Sequence, residues 1–284
     1  MSFALSACLL AVATAIACAI PGVFVVLKGD SMVIDGIGHS VLPGIAIGYL
    51  FTHDLGSPWL FACAAVAALL VSLGTEKIGR SNLMPRDAAL GIIFPALFSL
   101  GVVLITTKFA HVHLDVHAVL VGDMNLVALS SPHYIFILTG VGLVNAAFVI
   151  SQLPRLTASS CDPLLFPARG MHVIFHILVA ATATAAFQTA GAMLVIALMV
   201  LPAIIARLLC KRVPTMLALS VVFSIISALV GFWISYHLNV ATASGMTLTN
   251  AAFFIAALLY YTQVRNRRGK TPTPASPQLE PLPA

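Results

Sequence analysis

Nine long apolar runs constrain this chain more than any other feature. They fall at about 4–27, 32–52, 57–74, 88–106, 133–152, 172–188, 191–209, 215–237 and 247–263. Crossing about 30 Å of hydrocarbon takes roughly 20 mostly apolar residues, and a lone segment must cross as a helix because lipid offers its backbone no hydrogen bonds. Only 8% of the 284 residues are charged, against roughly 25% in a soluble domain. So few charges cannot wet a body of this size, and the 60% of hydrophobic residues excludes disorder. The expected fold is all-α, a polytopic transmembrane helix bundle of about nine spans. The sixth and seventh runs are nearly continuous. They divide at Gln188-Thr189-Ala190-Gly191, where polarity and a glycine predict a tight turn. Merging them, or adding Leu114–Val121 as a span, moves the count to eight or ten.

The basic residues choose the orientation. With the N-terminus outside and one crossing per run, all of the 14 Lys and Arg residues except Lys108 fall on the inner side, as the positive-inside bias requires. The C-terminus is then inside. Residues 1–263 read as one transmembrane domain. Residues 264–284 read as a disordered cytoplasmic tail, a basic cluster (Arg265, Arg267, Arg268, Lys270) followed by a Pro- and Ser-rich stretch that suits neither helix nor sheet. The net charge of +5 is scattered over short loops and makes no nucleic-acid-binding face. The five cysteines lie far apart, mostly in or beside apolar runs. That favours packing over a disulfide framework or a zinc knuckle. The first run lacks a basic leader and is long enough to span, so it reads as a retained helix.

Charged and imidazole groups inside a span cost a few kcal/mol or more, which makes them functional candidates. The second run contains Asp35-Gly-Ile-Gly-His39-Ser-Val-Leu-Pro43-Gly44. Asp35 and His39 are four residues apart and share one helix face. A helix starting near Ser31 carries His39 about 12 Å into the membrane. One carboxylate oxygen and one imidazole nitrogen a turn apart can reach a single divalent ion, and mixed O and N ligands suit manganese, iron or zinc. Pro43 has no N–H, so the His39 carbonyl loses its helical partner and is free to face a cavity. The competing reading is an Asp–His hydrogen bond that only ties two turns or two helices together.

Other polar groups carry weaker signals. His111, His113, Asp115 and His117 alternate in the outer loop after the fourth run. In an extended segment the three imidazoles share one side, a candidate entry point for a divalent ion; a solvated loop is the alternative. His172 and His176 are again four apart, at the inner start of the sixth run. They read either as a second ligand pair or as packing and headgroup contacts. His53, His133 and His237 sit at outer span ends, where polar rings are ordinary. No phosphate-binding GxxxxGK[ST] loop, HExxH, GxSxG or CxxC motif occurs. Any ATP-driven step must therefore use another chain. Glu76 and Glu280 are assigned to an inner loop and the tail, which leaves no glutamate inside the membrane to act as a general base. The rival readings are an ion-gradient-driven metal carrier, an intramembrane metalloenzyme, or a receptor or assembly protein without transport.

At Asp35 to Gly44 the chain resembles the Gly-Asp-Ala-x-Ser-His-Ala-Val-Leu-Pro-Gly segment of zinc/manganese/iron ABC-transporter permeases. Further stretches are similar: Pro21–Lys28, Arg86-Asp87-Ala-Ala-Leu-Gly91-Ile-Ile-Phe94, Leu114-Asp115 through Gly122-Asp123, Gly191–Arg207, and Ser235–Gly245. The resemblance implies the permease subunit of an ATP-driven metal importer in the plasma (bacterial inner) membrane. Its partners are then cytoplasmic ATP-binding subunits, an extracytoplasmic metal-binding protein and a second permease copy. The metal is cargo, and no cofactor is held permanently. Asp35 and His39 occupy the positions that line the metal path in that family. Asp162, Pro163, Leu164, Leu165, Phe166, Arg169 and Gly170 resemble its ATPase-coupling segment, with an extra proline, Pro167, and without its glutamate. Gly38 stands where the family has Ser before the His, and Ser40 where it has Ala.

Overall fold

The computed structural model describes residues 3–54, 57–80, 84–108, 124–130, 133–161 and 169–268. Among the described residues ten helices follow in order: α1 (Phe3–Lys28), α2 (Ser31–Thr52), α3 (Pro58–Arg80), α4 (Arg86–Lys108), α5 (Met124–Ser130), α6 (Tyr134–Cys161), α7 (Arg169–Ala190), α8 (Ala192–Leu209), α9 (Val213–Leu238) and α10 (Thr242–Arg268). All but the seven-residue α5 are long and apolar enough to cross a membrane, so nine spans stand among the described residues. The division predicted near Gly191 is present. Gly191 adopts φ +77°, a conformation that side chains resist, and its amide donates to the Phe187 carbonyl over 3.0 Å. This allows α7 to stop and α8 to start with one residue between them. α10 runs on to Arg268, so 264–268 are helical where the sequence places the start of the disordered tail; beyond Arg268 the tail lies outside the described residues.

The expected end of the third run also shifts. That run ends at residue 74, ahead of Thr75-Glu76-Lys77, yet α3 continues to Arg80. Glu76 is therefore on a membrane-spanning helix and not in a loop. Its carboxylate is only 13% exposed and faces His176 of α7. A polar residue ends an apolar count, but it does not end a helix when a neighbouring helix supplies its partner.

The bundle is organised around α1. Its buried faces meet α6, α8 and α9, while α10 closes against α8 and α9. A second packet joins α2, α3 and α4. Between them lies α7, which touches α1, α2, α3, α6 and α8. With no hydrophobic drive between helices in lipid, close approach and interhelical hydrogen bonds take over. Gly44 of α2 shows the first: a Cβ there would lie 2.5 Å from the Ala64 Cα of α3. The second appears in Asn145, whose amide donates to the Thr182 hydroxyl over 2.6 Å, and in Ser224, whose hydroxyl donates to the Ala15 carbonyl over 3.0 Å.

Contacts along α2 fix its neighbours. Against α4 they run in step: Gly36 meets Leu90, His39 meets Phe94 and Phe98, and Pro43 meets Gly101. The rising numbers show that α2 and α4 are parallel. On α3 the order reverses, with Gly36 beside Val71, Gly44 beside Ala64 and Gly48 beside Leu60, so α3 runs antiparallel. At the start of α4, Arg86 donates to the Asp30 carboxylate over 2.8 Å, joining the N-terminal ends of α2 and α4.

Candidate metal-binding site

Asp35 and His39 lie on one face of α2, as their spacing predicts. The Asp35 Oδ1 is 3.5 Å from the His39 Nε2. Two ligands at ~2.1 Å from a tetrahedral ion stand about 3.4 Å apart, so the pair is already spaced as two corners of such a site. The Asp35 side chain is 48% exposed and that of His39 27%. Both are therefore reachable from outside this chain's own packing. Two ligands hold a cation loosely, and no group of three or more His, Cys, Asp or Glu placed to bind a metal occurs among the described residues.

The rest of α2 explains why the pair stands clear. Gly36 and Gly38, the small residues between the two ligands, turn toward neighbours. A Cβ on Gly38 would fall 2.6 Å from the Cζ of Phe187, a buried ring of α7. The glycine that replaces the family serine is thus matched by an aromatic ring in the space a side chain would need. Ser40 does not restore that hydroxyl to the site, since it donates to the Ile37 carbonyl over 2.7 Å within its own helix. On the other side of the imidazole stand two rings of α4. Phe94 has its centroid 4.9 Å away at a 38° tilt, and Phe98 lies 5.7 Å away, edge-on at 86°. The His39 Nδ1 is buried and has no hydrogen-bond partner among the described residues. Sequence reasoning passed over these two phenylalanines. The available signal was their four-residue spacing, which places both on one face of a span.

A separate polar cluster occupies the ends of α1 and α3 and the start of α7. The His172 Nδ1 lies 3.0 Å from Lys28 Nζ, which also sits 4.2 Å from the centre of the Phe175 ring. His176 places Nε2 3.2 Å from Glu76 Oε2 and Nδ1 2.7 Å from Ser72 Oγ. Of the two readings offered for His172 and His176, this geometry favours packing, because both imidazoles bind side chains of other helices and one of them faces a cation. His111, His113, Asp115 and His117 lie outside the described residues, as do Asp162, Pro163, Leu164, Leu165 and Phe166. Arg169 and Gly170 open α7.

The profile of the ABC 3 transport family matches residues 1–261. The manganese transport system membrane protein MntC of Listeria monocytogenes is 31% identical over 264 residues, covering 91% of each chain. The chelated iron transport system membrane protein YfeD of Yersinia pestis is 30% identical, over 88% of this chain and 82% of its own. Among solved structures, PsaBC from Streptococcus pneumoniae in complex with Fab superposes with a TM-score of 0.76 at 28% identity. That match covers 94% of this chain and 96% of the other.

Proposed function

Because the chain belongs to the ABC 3 transport family, we infer that it is the membrane-spanning permease subunit of an ATP-driven importer of divalent metal ions. It lies in the plasma or inner membrane as a multi-pass protein. Separate ATP-binding subunits hydrolyse ATP, an extracytoplasmic binding protein delivers the metal, and a second permease copy completes the pore. The relatives carry manganese and iron in their names. The mixed donor set also suits zinc, and the cargo is one of these three.

Asp35 and His39 line the path of the cation. What supports this is their geometry: a carboxylate oxygen and an imidazole nitrogen 3.5 Å apart, both partly exposed, in the first half of a spanning helix. A second copy would bring two more ligands to the same passage. The N-terminus lies outside and the C-terminus inside, on the strength of the basic residues. The loop with His111, His113, Asp115 and His117 then stands at the outer mouth, where it can collect the ion. Asp162, Pro163, Leu164, Leu165, Phe166, Arg169 and Gly170 form the contact through which the ATPase moves the permease. Motion entering there passes into α7, whose Phe187 presses on Gly38 beside the site.

The test is uptake of radioactive manganese by the assembled importer in proteoliposomes. Asp35→Asn and His39→Ala are each expected to reduce uptake to background while the complex still purifies intact. Wild-type rates in both would remove the site assignment.

A further inference from the structure

We propose that Phe94 and Phe98 keep the cation site weak by denying His39 a hydrogen-bond acceptor behind its metal-binding nitrogen. The inference rests on the reading of Asp35 and His39 as cation ligands and concerns how tightly that site holds its cargo.

A neutral imidazole has one N–H and one bare nitrogen. The Nε2 of His39 faces the Asp35 carboxylate, so this is the nitrogen that shares an ion with Asp35. Ligation through Nε2 requires the proton to sit on Nδ1. In most metal sites that Nδ1–H is donated to a carboxylate, carbonyl or water, which fixes the tautomer and raises the basicity of the ligand. His39 lacks that support. Its Nδ1 is buried without a hydrogen-bond partner among the described residues, and the rings packed on the imidazole are Phe94 and Phe98. A phenyl face accepts an N–H only weakly.

Two consequences follow. Without a cation, the stable tautomer carries its proton on Nε2, where it faces the Asp35 carboxylate. When the cation binds, Nε2 loses that proton and Nδ1 gains one, so the imidazole stays neutral and the proton count is unchanged. The cation thereby displaces an N–H that faces a carboxylate 3.5 Å away and leaves an N–H among phenyl rings. Loss of such outer support typically costs 10–100-fold in metal affinity. A binding site for capture would be poorer for it. A transit site is better, since the ion must leave again on every cycle. Phe94 and Phe98 are positioning residues here, acting on the metal through His39.

The test supplies the missing acceptor. Phe94→Gln and Phe98→Gln place an amide oxygen beside the imidazole, while Phe94→Leu and Phe98→Leu keep an apolar wall. Manganese binding to the purified permease–ATPase complex, without the binding protein, is followed by the electron paramagnetic resonance of the free ion. At least one Gln variant is expected to bind about 10–100-fold more tightly and to show a lower maximal uptake rate, with neither Leu variant tightening. Wild-type affinity in both Gln variants, with binding still lost in His39→Ala, overturns this inference and spares the site. Wild-type affinity in His39→Ala overturns the site reading as well. A second measurement needs no core substitution. Nitrogen-15 spectra of histidine-labelled wild-type complex, with the His39 signals assigned by their loss in His39→Gln, report the tautomer directly. The proton is expected on Nε2 without metal and on Nδ1 with zinc. A proton on Nδ1 before any metal is added overturns the proposal.

Discussion

The Oε2 of Glu76 lies 3.2 Å from the Nε2 of His176, joining the last turns of α3 to the second turn of α7 in a largely buried pair. Removing one partner of such a pair leaves the other desolvated. Glu76→Ala is therefore expected to destabilise the permease by about 1–3 kcal/mol, and Glu76→Gln, which keeps an acceptor, by less. Arg86→Gln is the contrast. Arg86 is 42% exposed in its bond to Asp30, although the Asp30 side chain is itself only 12% exposed; with one partner open to solvent, the loss is expected to fall between the about 0–1 kcal/mol of a solvated pair and the loss at Glu76. Thermal unfolding of the purified variants ranks the three, and equal losses at Glu76 and Arg86 would contradict the burial argument.

Gly38 and Phe187 are a matched pair. Restoring the family hydroxyl with Gly38→Ser drives a Cβ to within 2.6 Å of the Phe187 ring. Overpacking of this kind costs about 1–3 kcal/mol. Because the clash involves the far edge of one ring, Phe187→Leu in the same chain is expected to recover most of the loss. A double-mutant cycle on melting temperature measures the coupling, and additive effects would show that the two residues are independent.

Gly44 tolerates less. Its neighbours at the α2–α3 crossing are backbone atoms of Ala64 and Cys63, which no rotamer change can move. Gly44→Val should separate the two helices at a cost beyond the ~3 kcal/mol typical of overpacking. The expected result is little or no folded protein, read as the monodisperse fraction on size exclusion. Recovery at the wild-type level would mean that the helices do not approach this closely.

The segment ahead of α7 carries the coupling proposal. Deleting Asp162–Gly170 is expected to abolish metal-stimulated ATP hydrolysis and to lower the yield of ATPase retained on an affinity-tagged permease. Retention of the ATPase at the normal yield would count against the contact.

The membrane-spanning helices were legible in the chain because hydrophobic length is a local quantity: 20 apolar residues in lipid have one way to satisfy their backbone. Gly191 was legible for the same kind of reason, since a turn in mid-run needs a residue that accepts positive φ. The facing of Asp35 and His39 followed from helical periodicity alone. Glu76 was misplaced because the limit of an apolar run says nothing of what stands opposite. Its partner His176 is 100 residues away in sequence and beside it only after α3 and α7 pack.

The same division holds at the site. Local spacing determined that an acid and an imidazole share a face of α2. Only the packing of α4 decided that the imidazole is walled by Phe94 and Phe98 and left without an acceptor at Nδ1 among the described residues. Helical period acts over one turn and can be read along the chain. The environment of a side chain is set by helices that meet across the bundle, through shape and hydrogen bonding that no single segment contains.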